Sequence, residues 1–484
     1  MSGYAYEPDR VTSLPGWPDK LPFNMFAGYL KGSATSRLFY IYVEADEISP
    51  QLAPITAWFN GGPGCSSLDG FWYEHGPFLL DKHGNLSLKP FRWNRLSNML
   101  YMEAPVGVGM SYSTSKSYKV NDDTTALENK DALADFFSKF TALRTHRFFL
   151  TGESYAGIYV PTLAEAILDA EDDKKWAGPP LVGIGVGNGC TGTASGICGY
   201  YFGAACDGLY YEYKFLSGFS FIDNAIKSEV EQYCDWAKCT DPSPTTSATS
   251  LPLSNLCIAS LDKGMQLLSL INIYNVIGSC TFDSCDGPVG NERVGRVGTR
   301  SQVSRLTNVA RTLAASTGSD SSQRQLGATA TASVSQFDDE VAQITDAGPA
   351  ECIDSVDASN YMNRPDVQLA LHARDPGYCW AVCNHVAGWK YTSTRENLPR
   401  DLYPRLVSRL KVVIYNGDMD ACVPYTDNEA WTENMKFPLK KQWHPWSYNS
   451  GNSTGTQVAG YVIEYDVSHM GKGSFEFKTV RGAG

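Results

Sequence analysis

The 484-residue sequence has no long apolar run, since no stretch approaches the roughly 20 consecutive apolar residues of a membrane-spanning helix. An excess of positive charge is also missing. The 40 lysines and arginines are outnumbered by 52 aspartates and glutamates, which leaves a net charge of −12. Nothing in the sequence is basic enough to neutralise a phosphate backbone. We therefore expect neither a membrane nor a nucleic acid among the partners of this protein.

The first residues lack the features of a secretory signal peptide, because Met1 leads into the polar SGYAYEPDR without a basic start or an apolar stretch. The cysteine content points to a different conclusion. The 13 cysteines are many for a reducing cytosol, and their spacings do not form the paired pattern of a zinc site. We expect a disulfide framework in a protein of the secretory pathway, lysosomal, vacuolar or extracellular, whose signal is not in this sequence. Glycosylation sequons at Asn85 and Asn452 agree with that setting, and no metal or other cofactor is expected.

Strand and helix signals alternate along much of the chain. Residues 10–60 are rich in β-formers, and residues 121–140 begin with capping residues and carry apolar side chains at helical spacing. LVGIGVGNG at 181–189 indicates a further buried strand. This order predicts an α/β fold with a mostly parallel central sheet and helices on both faces. Residues 458–466 and 474–480 are predicted to form an antiparallel hairpin.

The alternation breaks down between residues 191 and 350, where cysteine, aromatic and glycine residues cluster. We predict a first core part over 1–190, an inserted cap subdomain over 191–350 and a second core part over 351–484. Within the cap, residues 293–350 contain almost no aromatics, which predicts an exposed and mobile low-complexity loop. Its 6 arginines invite proteolytic processing, and a solvated linker that is never cut is the alternative.

One stretch, RFFLTGESYAGIYVPTLAEAILDA at 147–170, joins a short apolar run to a helical pattern. Ser154 therefore lies on a strand-to-helix turn, where a nucleophile elbow would place a reactive serine. Small neighbours at Gly152, Ala156 and Gly157 keep Cβ atoms out of the crowded bend. The stretch departs from the G-x-S-x-G pattern because residue 156 is alanine, and an ordinary strand-to-helix turn is the alternative on these residues alone.

Three segments together resemble the serine carboxypeptidase family, in the family's order. They are WFNGGPGCSSLDG at 58–70 with EHGPF at 74–78, TGESYAGIYVP at 151–161, and VVIYNGDMDACVP at 412–424. The resemblance covers roughly residues 9–290 and 351–484. It implies an α/β-hydrolase fold and a Ser-His-Asp triad that releases C-terminal amino acids at acidic pH. The substrates would be peptides with a free C-terminal carboxylate.

The resemblance also assigns roles to individual residues. Ser154 would be the nucleophile and Asp420 the acid that orients the base, although the residues alone do not choose between Asp418 and Asp420. The backbone N–H groups of Gly62 and Tyr155 would form the oxyanion hole. The terminal carboxylate of the substrate would be bound by Asn60, Gly61, Glu74 and Glu153. Two glutamates can hold an anion only if they share protons, and crowded carboxyl groups raise one another's pKa.

The histidine of the triad is missing from the sequence. In the family it directly follows a Gly-Ala-Gly, and here that tripeptide is residues 482–484. We expect histidine to come next in a longer form and the 484-residue chain to be inactive. His469 is the alternative base, but a seven-residue strand at ~3.3 Å per residue separates it by about 20 Å from the required position. Two other functions stay open, namely an acyltransferase with the same triad and an inactive homologue that binds or stabilises a partner.

The resemblance extends to the cysteines. The implied disulfides are Cys65–Cys383, Cys234–Cys257, and Cys352 with either Cys280 or Cys285. Cys422, beside Asp420, is expected to be a free thiol, and a buried small apolar residue is its simpler interpretation. The residue preference at the cleaved bond is not predictable from the sequence. The oligomeric state stays open between a monomer and a homodimer.

Overall fold

The computed structural model describes residues 5–202, 206–240, 253–268, 271–278, 355–374, 378–384, 386, 388–449 and 455–484. The predicted loop at 293–350, Cys352 and the sequon at Asn452 lie outside these ranges. Asn85 lies within them and is exposed, as a glycosylation site must be. Within the same ranges, no helix has the length and apolar character that crossing a membrane requires.

The strands of the described residues run in chain order as follows: β1 (Arg10–Val11), β2 (Met25–Lys31), β3 (Ser36–Val43), β4 (Ile55–Phe59), β5 (Phe78–Leu80), β6 (Leu86–Leu88), β7 (Asn98–Met102), β8 (Tyr112–Ser113), β9 (Lys119–Asn121), β10 (Phe148–Glu153), β11 (Leu181–Gly187), β12 (Lys390–Thr392), β13 (Lys411–Gly417), β14 (Leu439–Asn449), β15 (Thr456–Tyr465) and β16 (Ser474–Val480). The central sheet that they build has 12 of these strands, in the order β1-β2-β3-β7-β4-β10-β11-β13-β16-β15-β14, with β8 beside β3.

The helices are α1 (Asp122–Lys139), α2 (Ala156–Asp172), α3 (Gly196–Phe202), α4 (Asp207–Gly218), α5 (Asn224–Tyr233), α6 (Ala237–Thr240), α7 (Asn255–Gln266), α8 (Val356–Met362), α9 (Pro365–Ala370), α10 (Leu398–Asp401), α11 (Tyr403–Arg409) and α12 (Tyr425–Asn434). Short 3-10 helices lie at Glu7–Asp9, Trp93–Arg95 and Thr141–Thr145, and a π-helical turn lies at Gly70–Glu74.

The centre of the sheet is parallel and both flanks are antiparallel. Pairings from β7 through β4, β10, β11 and β13 to β16 are parallel. The pairings of β1 with β2, β2 with β3 and β3 with β7 are antiparallel, as are those of β16 with β15 and β15 with β14. The predicted hairpin is the β15–β16 pair. The predicted parallel sheet is therefore confirmed for the centre, while the pairings at both flanks are antiparallel.

Alternate side chains of the strands supply two apolar cores, one on each face of the sheet. In β3, Tyr40 and Tyr42 pack with α1 and α2, whereas Phe39 and Ile41 pack on the opposite face with α8 and α9. Helix α1 begins at a capping box, in which Asn121 accepts from the Thr124 N–H and the Thr124 hydroxyl bonds the Asn121 backbone. Helices therefore cover both faces, as an α/β architecture requires.

The described part of residues 191–278 consists of helices α3 to α7. Helix α3 contributes Ile197 and Cys198 to the main core. The helices that follow it form separate apolar clusters, one around Cys206, Val230 and Cys257 and another around Phe215 and Ile273. The division of the chain at residues 190 and 350 stays a prediction.

Candidate active site

Ser154 occupies the strand-to-helix turn between β10, which ends at Glu153, and α2, which begins at Ala156. Its backbone φ of 58° lies in the left-handed region that few residues other than glycine adopt. Neighbouring backbone groups hold this conformation. The Ser154 N–H donates to the Gly187 carbonyl at 3.0 Å, and its own carbonyl accepts from the Cys190 N–H at 3.0 Å. The surrounding structure thus maintains a strained turn that presents one hydroxyl, a feature often found at active sites.

The loop after β4 lies against this turn. A methyl group on Gly61 would lie 2.4 Å from the Tyr155 nitrogen and 2.9 Å from Ser154 Oγ. Gly62 has a φ of 112°, so its backbone also requires glycine. The Cys65 N–H donates to the Gly61 carbonyl at 3.0 Å and closes the loop. Of the two predicted oxyanion residues, Tyr155 thus follows Ser154 directly and has its nitrogen against this loop, and Gly62 is the loop residue after Gly61.

Cys65 and Cys383 form the disulfide that the resemblance implies, with a Cα separation of 3.9 Å. The implied Cys234–Cys257 pair is also present. Two further disulfides, Cys190–Cys198 and Cys206–Cys239, were not predicted. Cys422 forms no disulfide with any described residue, whereas Cys280, Cys285 and Cys352 lie outside the described ranges.

Asn60 joins the two glutamates that the sequence singles out. Its Nδ2 group donates to Glu74 Oε1 and to Glu153 Oε1, each at 2.9 Å. The orientation of the amide is fixed, because its Oδ1 atom accepts from Trp58 Nε1 at 2.7 Å and from the Gly70 N–H at 3.1 Å. Since Glu153 directly precedes Ser154, this carboxyl pair lies beside the elbow.

The carboxyl pair holds protons well above the usual pH range for glutamate. Burial raises the pKa of Glu153 to about 7. Burial, and after it the negative charge of Glu153, raises the pKa of Glu74 well above its ordinary value. Both carboxyl groups bond the same amide nitrogen, Asn60 Nδ2, and two carboxyl groups this close favour a form in which one of them keeps its proton. At mildly acidic pH this pair can therefore donate hydrogen bonds to an anion.

Sequence reasoning missed two ionisable neighbours of this pair. Burial, and after it the charge of Glu74, raises the pKa of Asp69 to about 8. Lys89 Nζ donates to the carbonyls of Trp72 and Glu74 at 3.1 and 3.0 Å, and burial lowers its pKa to about 8. The sequence could have indicated Asp69, because it lies inside the SSLDG segment at 66–70. Nothing in the sequence around Lys89 indicates that it is buried.

Asp420 follows β13 and is buried, and burial raises its pKa to about 7. Its carboxyl oxygens accept from the Cys422 N–H at 2.8 Å, the Val423 N–H at 3.1 Å and Asn188 Nδ2 at 2.9 Å. Asp418 has a different environment, because it accepts from the Gly482 N–H at 2.7 Å beyond the end of β16. The structure thus separates the two aspartates, and only Asp420 has its carboxyl group turned into the interior.

Six of the seven histidines lie in the described ranges, and His385 lies outside them. Four bond elsewhere through Nδ1: His75 to Tyr101 Oη at 3.1 Å, His146 to the Ala53 carbonyl at 2.6 Å, His372 to the Ala27 carbonyl at 3.1 Å, and His444 to the Gln442 carbonyl at 2.8 Å. Burial lowers the pKa of His75 to about 3, so its ring is neutral. His83 and His469 lie in exposed turns. No described histidine bonds Ser154 or Asp420.

Comparison with known proteins gives consistent results over the whole chain. A family model described as serine carboxypeptidase matches residues 15–484. The lysosomal protective protein of Mus musculus is 31% identical to the chain, with 99% of this chain and 90% of that protein covered. Serine carboxypeptidase-like 21 of Arabidopsis thaliana is 30% identical, with 98% of this chain and 89% of that protein covered.

Among solved structures, a prohormone-processing carboxypeptidase from Saccharomyces cerevisiae superposes with a TM-score of 0.65 at 20% identity, covering 99% of this chain and 92% of that one. At 20% identity, this match shows that the two chains share a fold. The α/β-hydrolase fold predicted from the sequence is confirmed.

Proposed function

Because this chain belongs to the serine carboxypeptidase family, we propose that it removes C-terminal residues from peptides at acidic pH, with Ser154 as the nucleophile. The observation that carries the proposal is that the serine hydroxyl and the carboxyl pair are joined by one short loop, at residues 60 and 61. Gly61 lies against Ser154 Oγ, and the adjacent Asn60 bonds both Glu74 and Glu153. An anion bound at this carboxyl pair would place the neighbouring peptide bond of a substrate at the serine hydroxyl.

The proposed binding step depends on protonated carboxyl groups. At acidic pH, Asn60 Nδ2 and the shared proton of Glu74 and Glu153 would donate to the terminal carboxylate of the peptide. As the pH rises through about 7, Glu153 would lose its proton, and its negative charge would weaken the binding of that carboxylate. Selectivity for a free C-terminus and activity at acidic pH would therefore have one common origin.

In the chemical step, Ser154 Oγ would attack the last peptide carbonyl and pass its proton to a base. The N–H groups of Gly62 and Tyr155 would stabilise the oxyanion. The base would return the proton to the leaving amine, and water would then hydrolyse the acyl-serine. Asp420, held by Asn188 and two backbone N–H groups, would orient the base.

We place the base directly after Gly484. The Met419 N–H donates to the Ala483 carbonyl at 2.8 Å, so the segment after β16 passes the turn that carries Asp420. A histidine at the next position would lie close to that carboxyl group. We expect residues 1–484 alone to hydrolyse peptides about 10⁶-fold more slowly than a form with that histidine, since the serine would lack its base.

The setting we propose is an acidic compartment of the secretory pathway, either lysosomal or vacuolar, or the extracellular space. The four disulfides among the described residues favour folding in an oxidising compartment. The raised pKa of Glu153, whose protonated form would bind the terminal carboxylate, favours an acidic site of action.

The test is an analysis of products formed by the intact gene product, whatever its length, at about pH 5. A blocked dipeptide with a free C-terminal carboxylate is the substrate, and S154A is the control. Release of the terminal amino acid that is lost in S154A supports the proposal. Acyl transfer from an activated ester to an added alcohol, without release of an amino acid, would instead identify an acyltransferase. A folded protein that forms neither product would be an inactive homologue.

A further inference from the structure

A buried carboxylate, Asp122, lies behind the elbow and takes no part in the proposed reaction. It is the first residue of α1 and is 0% exposed. Its Oδ2 atom accepts from the N–H groups of Thr394 and Arg395, at 2.5 and 2.9 Å. Asp122 therefore joins the first half of the core to a segment from the second half.

The other oxygen of Asp122 bonds two tyrosine hydroxyls. Tyr155 Oη and Tyr391 Oη each donate to Oδ1 at 2.8 Å. The Tyr155 ring is fully buried and also contacts the Tyr391 ring edge-on, at 5.5 Å between centroids. Tyr155 Oη further lies 2.6 Å from Ser393 Oγ. The side chain of Tyr155 is thus anchored at its far end.

The backbone of the same tyrosine faces the proposed reaction centre. Tyr155 directly follows Ser154 and precedes α2, and its nitrogen lies against Gly61. A hydrogen bond weakens steeply when its donor is misaligned, and a preformed oxyanion hole depends on donors that are already in place. The direction of the Tyr155 N–H group is consequently coupled to the hydrogen bonds that hold the hydroxyl of the same residue.

We propose that Asp122 is a positioning residue, which fixes the oxyanion donor of Tyr155 by holding that tyrosine's hydroxyl. The inference rests on the proposed function, because it concerns the oxyanion of that reaction. Asp122 does not touch the substrate. It acts through Tyr155, and its contribution appears in the transition state rather than in substrate binding.

Tyr391 provides a matched control. Y155F and Y391F each remove one hydroxyl that donates to the same oxygen over the same distance. Y155F also removes the bond to Ser393, which the variant S393A removes by itself. Only Tyr155 carries a backbone donor next to Ser154. S393A removes the second partner of the Tyr155 hydroxyl and leaves Asp122 bonded, so it separates Ser393 from Asp122 as the anchor.

The experiment compares these variants in the intact gene product, using kcat, KM and melting temperature at about pH 5 on a peptide acid and on an ester without a terminal carboxylate. We expect Y155F to lower kcat about 10-fold on both substrates with KM changed less than about twofold. Y391F and S393A should each keep kcat within about twofold of the parent. The melting temperature of Y155F should fall by no more than those of the two control variants added together.

Equal losses of kcat in Y155F and Y391F would overturn the inference, because the cluster would then have a purely structural role. An effect of Y155F on KM alone, or a loss in S393A as large as that in Y155F, would overturn it as well. Failure of the proposed function would give a different result from failure of this inference, because S154A would then turn over both substrates as fast as the parent. If S154A abolishes turnover while Y155F equals Y391F, only the role of Asp122 is wrong.

Discussion

Replacing Glu153 with glutamine should flatten the pH dependence of substrate binding. In the parent, burial raises the pKa of Glu153 to about 7. The protonated fraction of such a group falls from ~0.99 at about pH 5 to ~0.1 at about pH 8. If a bound carboxylate needs that proton, KM for a peptide acid should rise about tenfold over the same range.

The E153Q variant can donate an amide N–H at any pH. It also removes the charge that helps to raise the pKa of Glu74. We expect KM for the peptide acid to rise less than about threefold between about pH 5 and pH 8. An ester without a terminal carboxylate should show the same KM profile in the parent and the variant.

The assay is a series of initial rates on both substrates across this pH range. Glu44 supplies the matched control, since it is buried, its pKa is raised by burial, and an asparagine, Asn24, donates to it at 2.8 Å. Glu44 follows β3, whose Val43 pairs with Met99 near the start of β7. Ser154 follows the end of β10, so the two residues lie at opposite ends of the strands. E44Q should keep the parent's tenfold rise. The reasoning is refuted if E153Q keeps that rise too, or if both substrates respond alike.

Three further outcomes are expected. The free energy of unfolding should fall as pH rises from about 4 to 8, because the folded protein binds more protons than the unfolded chain; urea titrations that show a flat or rising profile would contradict this expectation. The carboxyl groups responsible include three whose pKa values burial raises to about 7 or 8, namely Asp420, Asp427 and Glu212. Trypsin should cut first within residues 293–350, and the Cys65–Cys383 bond should keep the fragments joined on gels without reductant; a resistant tract would show that it is packed. G61A should abolish hydrolysis without unfolding the protein, because its methyl group would lie 2.4 Å from the Tyr155 nitrogen. The control is G218A, whose methyl group would meet nothing within 4 Å and should change neither the rate nor the melting temperature. An active G61A would mean that the loop can move away from the elbow.

The elbow was predictable because its signals are local. An apolar run, three small residues and a helical pattern within 24 residues specify a strand, a turn and a helix, and β10 and α2 have that arrangement. The hairpin of β15 and β16 was predictable for the same reason. Residues 361–373 show the limit of periodicity, because their helical spacing predicts one helix where the structure has an interruption. Pro365 begins α9 and separates it from α8, which ends at Met362.

The remaining features depend on contacts between distant segments. The Cys206–Cys239 disulfide joins α4's N-terminus to α6, and cysteine spacing alone does not decide such a pairing. Asp122 looked like an ordinary first-turn residue of α1. Its importance appears only when residues 391–395, more than half the chain away, donate to it. Lys89 is similar, since burial rather than sequence context distinguishes it from other lysines.

The most direct test of the account is the labelling of the intact gene product with a fluorophosphonate, followed by peptide mapping. We expect a single phosphonylated residue, Ser154, protected at about pH 5 by a peptide with a free C-terminal carboxylate and not by the same peptide as its amide. Protection by the acid should weaken toward about pH 8 in the parent and persist in E153Q. Labelling at another residue, or equal protection by the acid and the amide, would contradict the account.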